Sequence, residues 1–313
     1  MLKRKPLFLL TILCATLLSA CSSKKDGETV DTEQALYEVA QDQLEKRNWD
    51  TATEALHLLE ENFPFGVYAE QAQLELIFAY YRTYDYELAI AAADRFIRLH
   101  PQHRNVDYAY YMRGVASFYS ETAITTALIS DVATRDSGSA KDSFNYFSQL
   151  LNRYPESIYA LDARQRMIYL RNILARQEIH VANYYFRRGA FVAAASRGKY
   201  VVENMQGTPA VPDGIAVMAQ AYHLLDMQDL ADNAVRVLKL NYPEHPSLDE
   251  QGNFQYSYKL KPKRNWLSYL TLGVLDKSQF VKFDSRDVYN PQYRDALKRK
   301  DNDDDDAKAP PKE

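Results

Sequence analysis

Residues 49–64 read WDTATEALHLLEENFP, and this stretch sets a pattern that much of the chain repeats. Its apolar side chains fall at offsets of 0, 3, 4, 7 and 11, which is one face of an α-helix: Ala52, Ala55, Leu56, Leu59 and Phe63. The stretch ends on Pro64, and proline stops a helix because it lacks the N–H donor and clashes with the preceding turn. We therefore predict a helix that is buried along one side and ends just before the proline.

The same pattern returns along the chain with similar opening and closing phrases. The closing phrases are Asn62-Phe63-Pro64, Leu99-His100-Pro101, Arg153-Tyr154-Pro155 and Asn241-Tyr242-Pro243. Each opening is a large apolar residue followed three positions later by a small one, with a departure in the last: Trp49–Ala52, Tyr86–Ala89, Phe191–Ala194 and Leu230–Asn233. The small residue lets a partner helix approach closely. In the last helix we expect a buried face of Leu230, Ala234, Val237 and Leu238.

The spacing of these phrases resembles the tetratricopeptide repeat, in which helix pairs recur about every 34 residues. Pro64 and Pro101 are 37 residues apart, and Pro209 and Pro243 are 34 apart. We predict an all-α fold, a tetratricopeptide-repeat superhelical solenoid of about five helix-turn-helix repeats over residues 33–246. The intervals on either side of Pro155 are both 54 residues, so the middle repeats carry insertions. We expect one around Thr122–Gly138 and another that lengthens a helix from Ile158 to Arg187.

The amino terminus has the features of a lipoprotein export signal. A basic cluster at residues 3–5 precedes an apolar run of about a dozen residues, which is too short to cross a bilayer. The run ends in Leu18-Ser19-Ala20-Cys21, which resembles the bacterial lipobox; an ordinary secretory signal with a chance cysteine is the alternative. We predict a signal peptide at residues 1–20, covalent lipid on Cys21 and a flexible tether at 21–32. Ser22 after the cysteine favours the outer membrane, with the protein facing the periplasm.

Composition and charge argue against several classes of function. Removal of the basic residues 3–5 moves the formal net charge from −4 to −7, which argues against a nucleic-acid binder. Ten glycines in the chain form no glycine-rich loop that would cradle a phosphate. His100 and His103 have no third metal ligand at recognisable spacing, and no serine stands in a nucleophile elbow. We expect no enzyme, no metal and no cofactor beyond the lipid on Cys21.

The chain after Pro246 departs from the repeat pattern. We predict a C-terminal extension at 247–297, in which the apolar stretch Trp266–Leu275 is either a helix that caps the last repeat or a segment that dips into the membrane interface. Residues 298–313 are rich in charge and end in prolines, so we predict a disordered tail.

Five phrases are more specific than a generic repeat. They are Pro64-Phe65-Gly66-Val67-Tyr68, QLELIFAYY at 73–81, DRFIRLHP at 94–101, VDYAYYMRG at 106–114, and VANYY at 181–185 leading into Arg188-Gly189-Ala190-Phe191. With the lipobox and the repeats, they resemble the BamD (ComL) family, the lipoproteins of the outer-membrane β-barrel assembly machinery. The resemblance implies a non-enzymatic scaffold that binds the periplasmic POTRA domains of BamA and the accessory Bam lipoproteins. It also implies binding of the C-terminal targeting strands of unfolded outer-membrane β-barrel proteins.

Two sets of residues suit these implied partners. A strand that ends in an aromatic residue and a carboxylate needs apolar surface and a guanidinium. The first repeats offer both as candidate strand-binding residues: Phe65, Tyr68, Tyr80, Tyr81 and Tyr84, with Arg82, Arg95 and Arg98. In the later repeats, Arg188 and Arg197 flank a helix start and could pair with an acidic group on a POTRA domain. The alternative is that the tyrosines are repeat packing and the arginines are solvated surface.

Two other classes of protein would share the anchor and the fold. One is a pilotin-type lipoprotein that escorts a secretin, and the other is a tetratricopeptide scaffold for cell-wall enzymes. The pilotin would lack the Pro-Phe-Gly-x-Tyr and Asp-Arg-Phe-Ile-Arg-Leu phrases. Depletion of the cell-wall scaffold would disturb peptidoglycan before barrel assembly.

Overall fold

The computed structural model describes residues 32–126, 138–256 and 282–290. Within these ranges the chain forms eleven helices and one isolated bridge, between Leu248 and Phe254. The helices are α1 (Glu33–Glu45), α2 (Trp49–Asn62), α3 (Ala69–Arg82), α4 (Tyr86–Leu99), α5 (Val106–Thr126), α6 (Gly138–Arg153), α7 (Ala160–Arg188), α8 (Phe191–Asn204), α9 (Val211–Leu224), α10 (Gln228–Asn241) and α11 (Arg286–Tyr289).

The first ten helices form five helix-turn-helix pairs, from α1/α2 to α9/α10, so the prediction of an all-α repeat fold is confirmed. The chain divides into two compact units, Met1–Ala92 and Ala93–Glu313, and α4 crosses the boundary. In the first unit α2 packs against both α1 and α3. In the second unit each helix from α5 to α10 packs on the next, and α7 also contacts α9.

The turn inside four of the pairs has the same backbone conformation. One residue in each turn has a positive φ, between 57° and 71°: Arg47, Tyr84, Gly189 and Asp226. The N–H of Gly189 donates to Phe186 O at 3.1 Å, and the N–H of Ala190 donates to Tyr185 O at 3.0 Å. The other three turns repeat these two bonds. A left-handed residue costs roughly 1–2 kcal/mol unless it is glycine, so three of the turns are held against a local strain.

The helix seams are built on small residues, as the opening phrases predict. Ala52, Ala89 and Ala194 each lie three residues after the start of a helix, and each is fully buried. In α10 the prediction is confirmed for Ala234 and Leu238, which are buried, but it is wrong for the opening phrase, because the helix begins at Gln228. Its fully buried alanine is Ala231, whereas Leu230 and Val237 are each 46% exposed. The polar Gln228 occupies the place of the large apolar residue and so hides the true register.

Among the described residues, the second unit contains the longest helix and a close contact between two helices at a pair of glycines. Helix α7 has 29 residues and agrees with the long helix predicted from Ile158 to Arg187. Helices α8 and α9 meet at a pair of glycines: a Cβ on Gly198 would lie 2.6 Å from the carbonyl oxygen of Gly214. Only glycine permits this approach, and Val217 lies equally close at 2.8 Å.

Several predicted features lie outside the described residues. These are the signal peptide at 1–20, the lipidated Cys21 and its tether up to residue 31, the stretch Trp266–Leu275, the tail 298–313 and most of the insertion at Thr122–Gly138. Thr32 is described, and its hydroxyl accepts a bond from Ala35 N at 3.3 Å, which caps α1. Among the described helices, none is long and apolar enough to cross a membrane.

Candidate functional site

A series of contacting aromatic rings lies at the carboxyl end of α3, in the first unit, and two of the rings contact one guanidinium. The Trp49 ring meets Phe78 edge-on with centroids 5.7 Å apart. Tyr81 lies 6.4 Å from Phe78 and 6.0 Å from Tyr86, and Tyr84 meets Tyr86 edge-on at 6.3 Å. We call this set the arginine–aromatic cluster, and its members are Trp49, Phe78, Tyr81, Arg82, Tyr84 and Tyr86.

The repeat pattern explains why these residues meet. Trp49 is the first residue of α2 and Tyr86 is the first of α4, whereas Arg82 is the last of α3. Antiparallel pairing with short turns brings these three helix termini together. The sequence prediction included Tyr81, Arg82 and Tyr84 but missed Trp49, Phe78 and Tyr86. The available signal was the large residue that opens a helix, which we assigned to packing alone.

Arg82 lies against the rings and remains exposed. Its Cζ atom lies 4.7 Å from the centroid of Trp49 and 5.9 Å from that of Phe78. Such a cation–π contact stabilises an exposed site by about 0.5–1 kcal/mol. A guanidinium stacks through its flat face, whereas its N–H donors lie in the plane of the group. An exposed Arg82 can therefore bind a carboxylate through its edge while Trp49 holds it in place.

Tyr84 is the most exposed ring of the cluster. Its side chain is 75% exposed, and its backbone has a φ of 67°. Because Arg47, Gly189 and Asp226 have the same left-handed conformation in the corresponding turns, this φ belongs to the repeat, and the exposure of the ring is what distinguishes Tyr84. The structure therefore marks Tyr84 as a candidate contact residue.

A second exposed apolar patch lies at the opposite end of α3. Phe65 is 99% exposed and Val67 is 88% exposed, in the turn between α2 and α3. Next to them, Tyr68 stacks on Tyr37 with centroids 4.4 Å apart, and its backbone N–H donates to Glu33 Oε1 at 2.6 Å. Phe65 and Val67 form what we call the turn patch. Since α3 has 14 residues, about 20 Å separates this patch from the arginine–aromatic cluster.

Tyr80 belongs to neither surface. Its side chain is 8% exposed, and its hydroxyl is hydrogen-bonded to His57 Nε2. Burial, and then the negative charges of Glu60 and Asp85, raise the pKa of the Tyr80 hydroxyl. The structure thus gives Tyr80 a role in packing the first unit.

The remaining predicted strand-binding residues, Arg95 and Arg98, lie on the part of α4 that belongs to the second unit. Both are exposed. The eight predicted residues therefore do not form one cluster. Three join the arginine–aromatic cluster, Phe65 and Tyr68 lie at the far end of α3, Tyr80 is buried, and two lie in the other unit.

The two predicted partner-binding arginines differ in their surroundings. Arg188 is exposed in the last turn of α7, directly before Gly189. Arg197 on α8 donates to Glu178 Oε2 at 2.8 Å, and the side chains are 42% and 12% exposed respectively. The hydrogen bond from Arg197 to Glu178 is the main cause that raises the pKa of Arg197. Arg197 therefore already has an acidic partner within its own unit, whereas Arg188 projects into solvent.

The histidine pair that could have suggested a metal has a packing role. The Phe96 ring lies 5.0 Å from His100 and 5.2 Å from His103. His103 Nδ1 also accepts a bond from Asn105 N at 3.1 Å, which stabilises the turn between α4 and α5. No group of three or more His, Cys, Asp or Glu side chains placed to hold a metal occurs in the described parts of the chain.

The described helices place the chain in the class of all-α proteins built from helix-turn-helix repeats. Its first unit has exposed aromatic surface. Residues 29–238 match the YfiO family, described as an outer membrane lipoprotein. The chain belongs to this family.

Three relatives carry the name outer membrane protein assembly factor BamD. The protein from Neisseria meningitidis serogroup B is 38% identical over 77% of this chain and 93% of its own length. That from Xylella fastidiosa is 38% identical over 78% and 85%, and that from Vibrio cholerae is 36% identical over 74% and 96%. The resemblance predicted from the five phrases is thereby confirmed. These relatives are assembly factors in a family of scaffolds, which also confirms the expectation that the chain is not an enzyme.

Proposed function

We propose that this chain is an outer-membrane protein assembly factor that is anchored by lipid on Cys21 and faces the periplasm. Its first unit receives the C-terminal targeting strands of unfolded β-barrel proteins, and its second unit contacts the POTRA domains of BamA. Accessory Bam lipoproteins are further partners. The observation that carries the proposal is the exposed arginine–aromatic cluster, in a chain whose relatives are named assembly factors.

The cluster suits the chemistry of a targeting strand. The aromatic residue at the end of such a strand can pack against Tyr84 and Tyr86, and its carboxylate can bind the edge of Arg82. Charge-assisted hydrogen bonds of this kind are about twice as strong as neutral ones. An extended strand rises about 3.3 Å per residue, so about six residues span the distance from Arg82 to the turn patch. Phe65 and Val67 would then contact apolar residues further back along the strand.

The second unit offers a cationic surface to an acidic partner. Arg188 is exposed at the end of α7, where no acidic side chain bonds to it in the described structure. Arg197 can share its guanidinium between Glu178 and a carboxylate of the partner, because five N–H donors are present in one fork. A POTRA domain that presents an acidic side chain would bind here.

The anchor leaves the repeats close to the membrane. Eleven residues, 22–32, separate Cys21 from the start of α1 at Glu33. Even fully extended, this stretch reaches at most about 40 Å. The first unit would therefore lie where unfolded barrel proteins arrive at the outer membrane.

Affinity purification of the tagged protein from detergent-solubilised envelopes tests the proposal. We expect a POTRA-bearing barrel protein in near-stoichiometric amount, identified by mass spectrometry. The Cys21→Ser variant should be lost from the membrane fraction, because the lipid is attached through the cysteine sulfur and serine has none. Recovery of a secretin or of cell-wall enzymes without a barrel assembly protein would overturn the proposal.

A further inference from the structure

Residues 282–290 lie on the second unit as a stretch without regular secondary structure, 282–285, followed by the short helix α11. We call them the docked segment. They lie beyond residue 238, where the family match ends. They contact six side chains that we call the groove: Arg176, Asn183 and Phe186 on α7, Asp213 on α9, and Tyr242 and His245 after α10.

Two side chains of the groove form hydrogen bonds with the backbone of the docked segment. Asn183 Nδ2 donates to Phe283 O at 3.0 Å, and Asn183 Oδ1 accepts from Phe283 N at 2.9 Å. Asp213 Oδ2 accepts from Ser285 N at 3.0 Å. Such bonds require extended backbone with free peptide groups and make no demand on the side chain of the ligand. An extended peptide is therefore the class of ligand that the groove takes.

Three further contacts select the side chains of the ligand. Phe283 is 5% exposed, and its ring lies 5.6 Å from that of Phe186. Asp284 lies 3.7 Å from Arg176, and Ser285 is fully buried, which leaves no room for a large residue. The groove therefore prefers an aromatic residue followed by an acidic and then a small one.

The ligand also completes a buried network of charges. Asp213 is fully buried and bonds to Arg176, with His245 Nε2 at 3.2 Å. Without the docked segment, Asp213 would lose the N–H of Ser285 and Arg176 would lose the charge of Asp284. A buried charged group that loses a partner is costly, so the network favours an occupied groove.

We propose that the groove is a peptide-binding site for extended segments of the type aromatic–acidic–small, and that residues 282–290 are its resident ligand. The segment is covalently joined to the repeats, so its binding is intramolecular and competes with that of a separate peptide. The same nine residues, supplied as a separate peptide, bind the groove whenever the resident copy is released. This inference does not depend on the proposed function.

A fluorescently labelled peptide of sequence KFDSRDVYN, which is residues 282–290, tests the proposal by anisotropy. The full-length Phe283→Ala variant has a weakened resident ligand, and we expect it to bind the peptide saturably. The unmodified chain should bind at least tenfold more weakly, because its own segment competes. Adding Asn183→Ala to Phe283→Ala should abolish measurable binding, since two of the three backbone bonds to the ligand are lost.

Matched controls separate recognition from folding. Circular dichroism must show unchanged helix content in each variant, and Ser285→Pro, which removes the N–H donor to Asp213, provides a second released chain. A peptide with Asp287→Asn should bind like the parent, because Asp287 is exposed. The proposal is overturned if Phe283→Ala and Ser285→Pro bind the peptide no better than the Asn183→Ala/Phe283→Ala variant. It is equally overturned if the released chains instead pair with each other and the peptide does not dissociate the pairs.

Discussion

Arg82 in the first unit and Arg176 in the second unit show two opposite uses of one side chain. Arg82 is exposed and stacks on Trp49, so its charge stays in water and its edge can bind a ligand. Arg176 is buried and holds Asp213, with Asp284 nearby. A buried guanidinium requires compensating negative charge. Asp213 on α9 and Asp284 of the docked segment provide it, so Arg176 connects α7 to both. The first arginine is therefore suited to binding, and the second holds its unit together.

The largest effect is expected from Asp213→Ala. This change removes the carboxylate that compensates the buried Arg176 and accepts bonds from His245 and Ser285. Breaking a buried pair by removal of one partner costs about 3–5 kcal/mol. Urea unfolding, followed by circular dichroism, should show a loss of this size in the free energy of unfolding.

Glu203→Ala is the matched control for Asp213→Ala. Glu203 pairs with Lys199 one helical turn away at 3.6 Å, and both side chains are more than half exposed. Such a surface pair contributes about 0.3–0.5 kcal/mol. Equal losses of stability in the two variants would show that the buried network has no special role.

Arg82→Ala should weaken the binding of a peptide that ends in an aromatic residue and a free carboxylate. Loss of a charge-assisted bond costs about 1.5–3 kcal/mol, which is at least a tenfold increase in Kd. Isothermal titration would measure it. Lys46→Ala also removes an exposed cation, one paired with Asp42 in the first unit, and should leave the affinity unchanged. A similar loss in both variants would indicate nonspecific charge attraction.

Acid should release the docked segment. Burial by itself raises the pKa of Asp284, but hydrogen bonds from Arg286 and the charges of Arg176, Arg286 and Lys282 outweigh it and hold the pKa at about 2. Burial likewise opposes ionisation of Asp213, but His245, Arg176 and the N–H of Ser285 lower its pKa overall. A carboxyl group with a lowered folded pKa stabilises the fold above its unfolded pKa, near 4, and this contribution is lost as the pH falls towards 2.

Hydrogen exchange of the amides of Phe283 and Ser285 at pH 5, 3.5 and 2.5 would measure that release. Because intrinsic amide exchange itself slows as the pH falls towards 2.5, the observed rates are divided into the intrinsic rate at each pH. We expect a high protection factor at pH 5 and a progressive loss of protection below pH 4. Protection that survives to pH 2.5 would show that the carboxylates do not hold the segment.

The smallest effects concern two of the four turns inside the helix pairs that contain a residue with a positive φ. Gly189→Ala should destabilise the second unit by about 1 kcal/mol, because alanine is strained at a φ of 71°. Tyr84→Gly should change the stability by only about 0.5 kcal/mol, since relief of strain offsets the lost ring contact and the added chain entropy. The same variant should weaken peptide binding. Thermal unfolding checks both stabilities, and a strong destabilisation by Tyr84→Gly would show that this ring serves packing.

The sequence predicts the fold well where packing is periodic. The closing prolines and the alanines three residues into each helix locate the helix pairs because every repeat buries the same face. In α10 the prediction is confirmed for Ala234 and Leu238 and wrong for Leu230 and Val237. Gln228 stands there in place of the expected apolar residue, and the buried face begins at Ala231. The repeat pattern locates the whole buried face of a helix only when the first residue of that helix is the expected large apolar one.

The candidate sites were less predictable because they depend on contacts between distant residues. Tyr80 and Tyr81 are adjacent in sequence, yet one is buried beside His57 and the other joins the exposed cluster. Both residues are tyrosines, so residue type cannot predict which one is buried. Burial depends on which side of α3 each residue occupies. The contact between Asn183 and Phe283 joins residues one hundred positions apart and has no local signal.

A photocrosslinking experiment in living cells tests the division of labour between the two units most directly. A photoreactive phenylalanine would replace Tyr84 in one strain and Arg188 in another. The account predicts that position 84 captures unfolded β-barrel proteins and that position 188 captures the POTRA-bearing barrel protein. Capture of the same partner at both positions, or of unfolded barrel proteins only at position 188, would contradict it.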